Sequence, residues 1–192
     1  MEINVPRVPL LTLFCSFALL APSCVHANEP DITFYEISGN SANSLRKQMN
    51  EKRPQEANGE RFDALTRNRI VYTYRYGPTA NGCKFTEFST QLETKITMPR
   101  WVDADPMSKL GQKWQIYYQA LYRHELGHRD IALNSLKELE EAGRNFESSN
   151  KCDSIAEAFK LIYSSILQKY KLQNLKYDQE TDHGKKNGAT FP

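Results

Sequence analysis

The residues with the clearest chemical potential are His124, Glu125 and His128, an HExxH pattern within the run Leu121-Tyr122-Arg123-His124-Glu125-Leu126-Gly127-His128-Arg129-Asp130. Two imidazoles four residues apart leave the same face of a helix one turn from each other, so both can reach one ion. Zinc suits neutral imidazole ligands, and the expectation is one Zn2+ per chain. Glu125 projects roughly 100° round the helix from His124, which keeps it off the metal and next to water. The chemistry implied is hydrolysis: the metal acidifies a water, Glu125 takes its proton as general base, a polarised carbonyl is attacked, and the carboxyl passes the proton to the leaving amine. An HExxH arising by chance in a chain of this size is an event on the order of 1%. Only three histidines follow residue 27, and two of them are in the motif, so a metal site is the reading adopted.

A catalytic zinc takes three protein ligands and keeps one position open, which leaves the motif one ligand short. His183, in Tyr177-Asp178-Gln179-Glu180-Thr181-Asp182-His183-Gly184, is the expected third ligand. Glu157 and Asp178 are the acidic alternatives. The metzincin subfamily is excluded, because Ile131 and Asn134 stand where it needs Gly and His. Asp130, Asp178 and Asp182 are candidates to orient a ligating imidazole. Tyr177 is a candidate donor to the developing oxyanion, with simple packing as its alternative. Gly127, which costs about 1 kcal/mol relative to Ala inside a helix, suggests a close approach of neighbouring backbone beneath the site.

The elements that must position these residues follow from hydrophobic periodicity. Ile32 to Ile37 is β-prone, and Ser41 can cap a short helix carrying Leu45 and Met49. Glu51 to Arg61 reads as a loop. Ile70, Tyr72, Tyr74 and Tyr76 share one parity, as do Phe88, Leu92, Ile96 and Met98, which predicts two strands joined through Gly77 to Gly82. From Leu110 to Gly143 apolar residues recur every three or four positions, predicting one long amphipathic helix or two end to end. Asn150 to Asp153 interrupts that pattern, and Ile155, Phe159, Ile162, Ile166 and Tyr170 mark a further helix from about Ser154. Periodicity is lost after Lys176. The expected fold is α+β, a small antiparallel sheet over 28–99 followed by a helical half over 100–176 that carries the HExxH helix in a zincin-like arrangement, with 177–192 closing the metal site. Trp101 and Trp114 read as core.

Composition limits the setting. Arg7 precedes an apolar run from Val8 to Ala21, and Val25-His26-Ala27 has small residues where a signal peptidase reads, so residues 1–27 are expected to be a signal peptide cleaved after Ala27. The remaining 28–192 suits one domain, in the periplasm or outside the cell and without stable membrane insertion after cleavage. The whole chain has 25 Lys and Arg against 23 Asp and Glu, a net charge of +2, interspersed and without a basic stripe. Nucleic acid is therefore not an expected partner. Loss of the signal removes Cys15 and Cys24, leaving Cys83 and Cys152 to form a disulfide in an oxidising compartment.

The chain also resembles the bacterial family called domain of unknown function 922, described as predicted secreted zinc-dependent proteases. The likeness rests on Pro99-Arg100-Trp101, Trp114, His124 to Asp130, Tyr177-Asp178, Thr181, His183-Gly184, Gly188-Ala189 and Phe191-Pro192. The resemblance implies that His183 belongs to the site. The function expected is a secreted zinc metallohydrolase, a metallopeptidase with a peptide or protein substrate. The alternatives are a zinc amidase acting on cell-wall amides and a non-catalytic zinc-containing envelope protein. Sequence leaves the oligomeric state open.

Overall fold

The computed structural model describes residues 26–56, 59–149 and 152–191. The expected signal segment lies outside these residues except for its last two. His26–Ala27 forms the short strand β1, and β2 spans Asp31–Ile37. Helix α1 (Ala42–Lys52) is capped by Ser41, which exchanges hydrogen bonds with Ser44, and it buries Leu45 and Met49 as the sequence suggests. A long hairpin follows, β3 (Leu65–Thr79) and β4 (Gly82–Trp101), and then helix α2 (Lys109–Arg144), a single element of 36 residues. The short β5 (Glu147–Ser148) leads to a 3-10 turn and to α3 (Ile155–Thr181).

The architecture is mixed α and β, with a five-stranded sheet among the described residues. The sheet is not purely antiparallel. β3 and β5 pair antiparallel with β4, but β1 and β2 pair parallel with it. β4 is central: β3 runs along one edge while β5, β1 and β2 follow one another along the other. A parallel neighbour needs a crossover, and α1 with the loop behind it supplies the connection from β2 back to the hairpin.

On β4, Phe88, Leu92, Ile96 and Met98 are all buried, as their shared parity requires, yet Phe85 is buried too. A register shift between Arg75 and Tyr76 explains this, since Tyr76 pairs with Phe85 while Arg75 pairs with Glu87. The extra residue, Thr86, inverts the alternation, so Cys83 and Phe85 face the same side as Phe88. That side is covered by α2 and α3. Tyr72 packs on Phe88, Phe159 and Tyr163, which makes the tyrosine-rich strand part of the core. The opposite face is solvated and carries ion pairs such as Arg69 with Glu93.

Cys83 and Cys152 form a disulfide across 69 positions of sequence, tying the start of β4 to the turn that opens α3. Mass spectrometry of a non-reduced digest is expected to find both cysteines in one cross-linked peptide. Replacing the pair by serine is expected to cost about 2–5 kcal/mol, seen as a lower Tm. Among the described residues no helix is long and apolar enough to cross a membrane.

The C-terminal segment folds back as expected, but it starts later. Residues 177–181, read from sequence as aperiodic, are the last turns of α3. Asp182, His183 and Gly184 then have φ of 49°, 50° and 81°, a run of left-handed backbone that reverses the chain onto α2. Ala189 and Phe191 are buried there, Phe191 against Trp114 and Tyr117. Arg46 fastens the tail by donating to the Phe191 carbonyl at 2.8 Å, and its other nitrogen donates to Asp63 at 2.8 and 2.9 Å.

Candidate metal centre

The site forms where the middle of α2 meets the C-terminal end of α3. His124 and Glu125 are buried on α2, and His128, one turn on, is nearly so. The group of potential metal-holding side chains among the described residues consists of His124, His128 and Asp178. Nε2 of His124 and Nε2 of His128 are 3.3 Å apart, and each lies 3.2 Å from Oδ1 of Asp178. Three donor atoms thus form a nearly equilateral triangle. The edge of a tetrahedron with metal-to-ligand bonds of about 2.0 Å is about 3.3 Å, so the donor set fits a zinc ion in size as well as chemistry.

Both rings are held through their other nitrogen. His128 Nδ1 is 2.7 Å from Oδ1 of Asn174. His124 Nδ1 is 3.5 Å from the hydroxyl of Thr181, which donates its own proton to the Tyr177 carbonyl and accepts from the Gly184 amide. Gly184 is required at this point, because its φ is 81° and a Cβ would come within 2.9 Å of the His124 ring.

His183, expected as the third ligand, stands beside the triangle. Its Nδ1 is 3.5 Å from the same Asp178 oxygen, its ring packs on Phe62 with centroids 5.1 Å apart, and it is about half exposed, at 48%. The structure brings Asp178 into the position foreseen for His183, because the extra turns of α3 carry that carboxylate over the motif. Glu157 is excluded: it pairs with Lys160 near the start of α3, about 30 Å along the helix from Asp178. Asp182 is turned to Lys185 and Asp130 is exposed, so neither orients an imidazole.

Tyr177 lies against both motif rings, stacked on His124 at 4.9 Å and edge-on to His128 at 5.1 Å. Its hydroxyl points at the His124 carbonyl, 3.4 Å away, across Gly127. That orientation makes Tyr177 a wall of the site, with its hydroxyl turned toward the His124 carbonyl. It also accounts for Gly127, where a Cβ would meet the Tyr177 hydroxyl at 2.2 Å and its ring at 2.5 Å. The close approach is that of a side chain, not of backbone. Gly127→Ala is expected to displace the ring and cost about 1–3 kcal/mol. In a Tyr177→Ala background the same substitution is expected to cost much less, a coupling measurable by a double-mutant cycle of thermal or urea melts.

Glu125 is 4% exposed and has a single strong contact, the Thr66 hydroxyl donating to Oε2 at 2.7 Å. Burial pushes its carboxyl up from the ordinary range; the Thr66 bond, His128 and His124 pull it back, and Asp178 adds to the rise. Among the described residues, no Lys or Arg is among the largest influences on it. Its counterpart along the same helix, Glu140, is also buried and hydrogen-bonded to a sheet threonine, Thr90, but is paired with Arg144 at 2.7 Å. For Asp178, burial alone would raise the carboxyl, but the contacts from His124 and His128 outweigh it and hold the group well below the usual range. For His128, burial alone would lower the imidazole, and the bond and charge of Asp178 with the bond to Asn174 raise it.

The family model described as a bacterial protein of unknown function (DUF922) matches residues 32–184, which includes every residue of this centre. The chain belongs to that family. Neither a curated protein nor a solved structure matches it. The DUF922 match runs from β2 through the hairpin, α2 and α3 to the reversal at Gly184, and of the residues that carried the resemblance in sequence, His124 to His128, Tyr177, Asp178, Thr181, His183 and Gly184 come together here.

Thr66 and Asn174 are the site residues that reading motif by motif passes over, and Thr181 enters there only through the family likeness. Asn174, Tyr177, Asp178 and Thr181 have the spacing of one helix face, and that pattern was the available signal. It is polar, so hydrophobic periodicity does not register it.

Proposed function

We propose that this chain is a zinc-dependent hydrolase of amide bonds, acting on peptide or protein substrates, with one Zn2+ per chain held by His124, His128 and Asp178. The observation that carries the reading is the triangle of donor atoms 3.2–3.3 Å apart, with both Nδ1 atoms already engaged by oxygen acceptors. Two imidazole nitrogens and a carboxylate oxygen at that spacing share either a proton or a metal ion, and three donors separated by a tetrahedral edge suit zinc. The buried Glu125 carboxylate, which lacks the arginine that Glu140 has, gains from the same cation.

When bound, zinc supplies a Lewis acid that polarises a carbonyl and makes water a stronger nucleophile. Glu125 does the proton work. It accepts a proton from the attacking water as the new carbon–oxygen bond forms, then delivers it to the nitrogen as the carbon–nitrogen bond breaks. Thr66 fixes the carboxyl through Oε2 so that it meets the substrate in one orientation. His183, exposed at the rim between Phe62 and Asp178, is available to contact the substrate. An exported location accords with the disulfide and with the expected signal segment.

The direct test is elemental analysis of the purified protein together with digestion of a broad peptide library, with and without chelator. Stoichiometric zinc and chelator-sensitive cleavage are expected. Tightly held zinc with no cleavage would favour the non-catalytic envelope protein, and cleavage confined to non-peptide amides would favour the amidase.

A further inference from the structure

We propose that Asn174 is a positioning residue that locks His128 in the tautomer protonated on Nδ1, leaving Nε2 bare and facing Asp178 and His124. The Asn174 amide can lie only one way. Its Nδ2 is 2.9 Å from the Tyr170 carbonyl, a group that can only accept. The amide nitrogen must therefore face Tyr170, and the oxygen must face His128, whose Nδ1 is 2.7 Å away. An oxygen acceptor at that distance demands a proton on Nδ1. A neutral ring then has its lone pair on Nε2, toward the triangle.

The same short segment of α3 also anchors the backbone of His128. The Tyr170 hydroxyl meets Nδ2 of Asn68 at 3.1 Å, and that nitrogen donates to the His128 carbonyl at 3.2 Å. Asn68 is fixed in turn by Thr94, whose hydroxyl donates to Oδ1 at 2.7 Å. Ring and backbone of His128 are thus tied to adjacent strands of the sheet and to α3, so the imidazole cannot turn without breaking a bond to Asn174. What the bare Nε2 binds rests on the zinc reading above; the tautomer itself does not.

The experiment uses the full chain labelled with 15N-histidine, examined without metal at alkaline pH, where the rings are neutral, and then titrated with zinc against a competing chelator. Wild type is expected to show His128 as the Nδ1–H tautomer alone. Asn174→Ala and Asn174→Leu are expected to give a mixture of tautomers and about 10- to 100-fold weaker zinc binding. Asn174→Asp, which keeps the acceptor, is expected to restore both; this separates positioning from a general packing role, with circular dichroism as the check on folding. A single unchanged tautomer and unchanged affinity in Asn174→Ala would overturn the proposal while leaving the metal site in place. If wild type takes up no zinc but Asn174→Ala still scrambles the tautomer, the zinc reading fails and the positioning role stands.

Discussion

Glu125→Gln is expected to leave fold and zinc content intact while hydrolysis falls about 100- to 10,000-fold, the range that general acid–base catalysis contributes. The variant changes little else. Gln has the shape of Glu, and the Thr66 hydroxyl that donates to Oε2 can donate to an amide oxygen instead. The substitution also removes a buried carboxylate that has no Lys or Arg beside it, so stability is expected to hold or rise slightly. What disappears is the carboxylate proposed above to take a proton from water and hand it to nitrogen. The comparison requires both proteins at equal zinc loading, on a peptide that wild type cuts. Equal rates would assign the cleavage to another base or to a contaminant. A rate loss accompanied by loss of zinc would instead make Glu125 part of what holds the ion.

The second large effect is on the metal itself. His124→Ala, His128→Ala and Asp178→Ala are each expected to abolish stoichiometric zinc after dialysis, because each removes one corner of a three-donor site. His183→Ala is expected to behave differently: its ring touches Asp178 at 3.5 Å and packs on Phe62, so its loss loosens the carboxylate without deleting a donor. A weakening of about 10- to 100-fold, measurable by chelator competition, is the expected size for a group that acts through a ligand. Full zinc in Asp178→Ala with none in His183→Ala would reverse the assignment and return His183 to the ligand set. Peptide cleavage adds a second axis, since a rim histidine that contacts substrate alters KM even when zinc is saturating.

The sequence by itself determined what is local. HExxH states its own geometry, because a four-residue spacing on a helix permits one arrangement of the two rings. The helical character of 110–143, though not that it is one unbroken helix, the cap at Ser41, the buried parity of β4 from Phe88 to Met98 and the Cys83–Cys152 bond were likewise legible, since each depends on periodicity, a side chain reaching its own backbone, or elimination of other partners. Tertiary structure decided the rest. The parallel pairing of β2 with β4 leaves no mark in either strand, because a half-buried strand alternates in the same way whichever direction its neighbour runs. The bulge at Thr86 was invisible until Phe85 had to share a face with Phe88. Asp178, not His183, completes the cluster of donor atoms with His124 and His128 because α3 continues to Thr181, past the point where apolar periodicity stops, on a face made of Asn174, Tyr177, Asp178 and Thr181. Those side chains meet imidazoles that stand 50 and 54 residues before Asp178 in the chain, and a contact of that range is not written in the residues on either side of it.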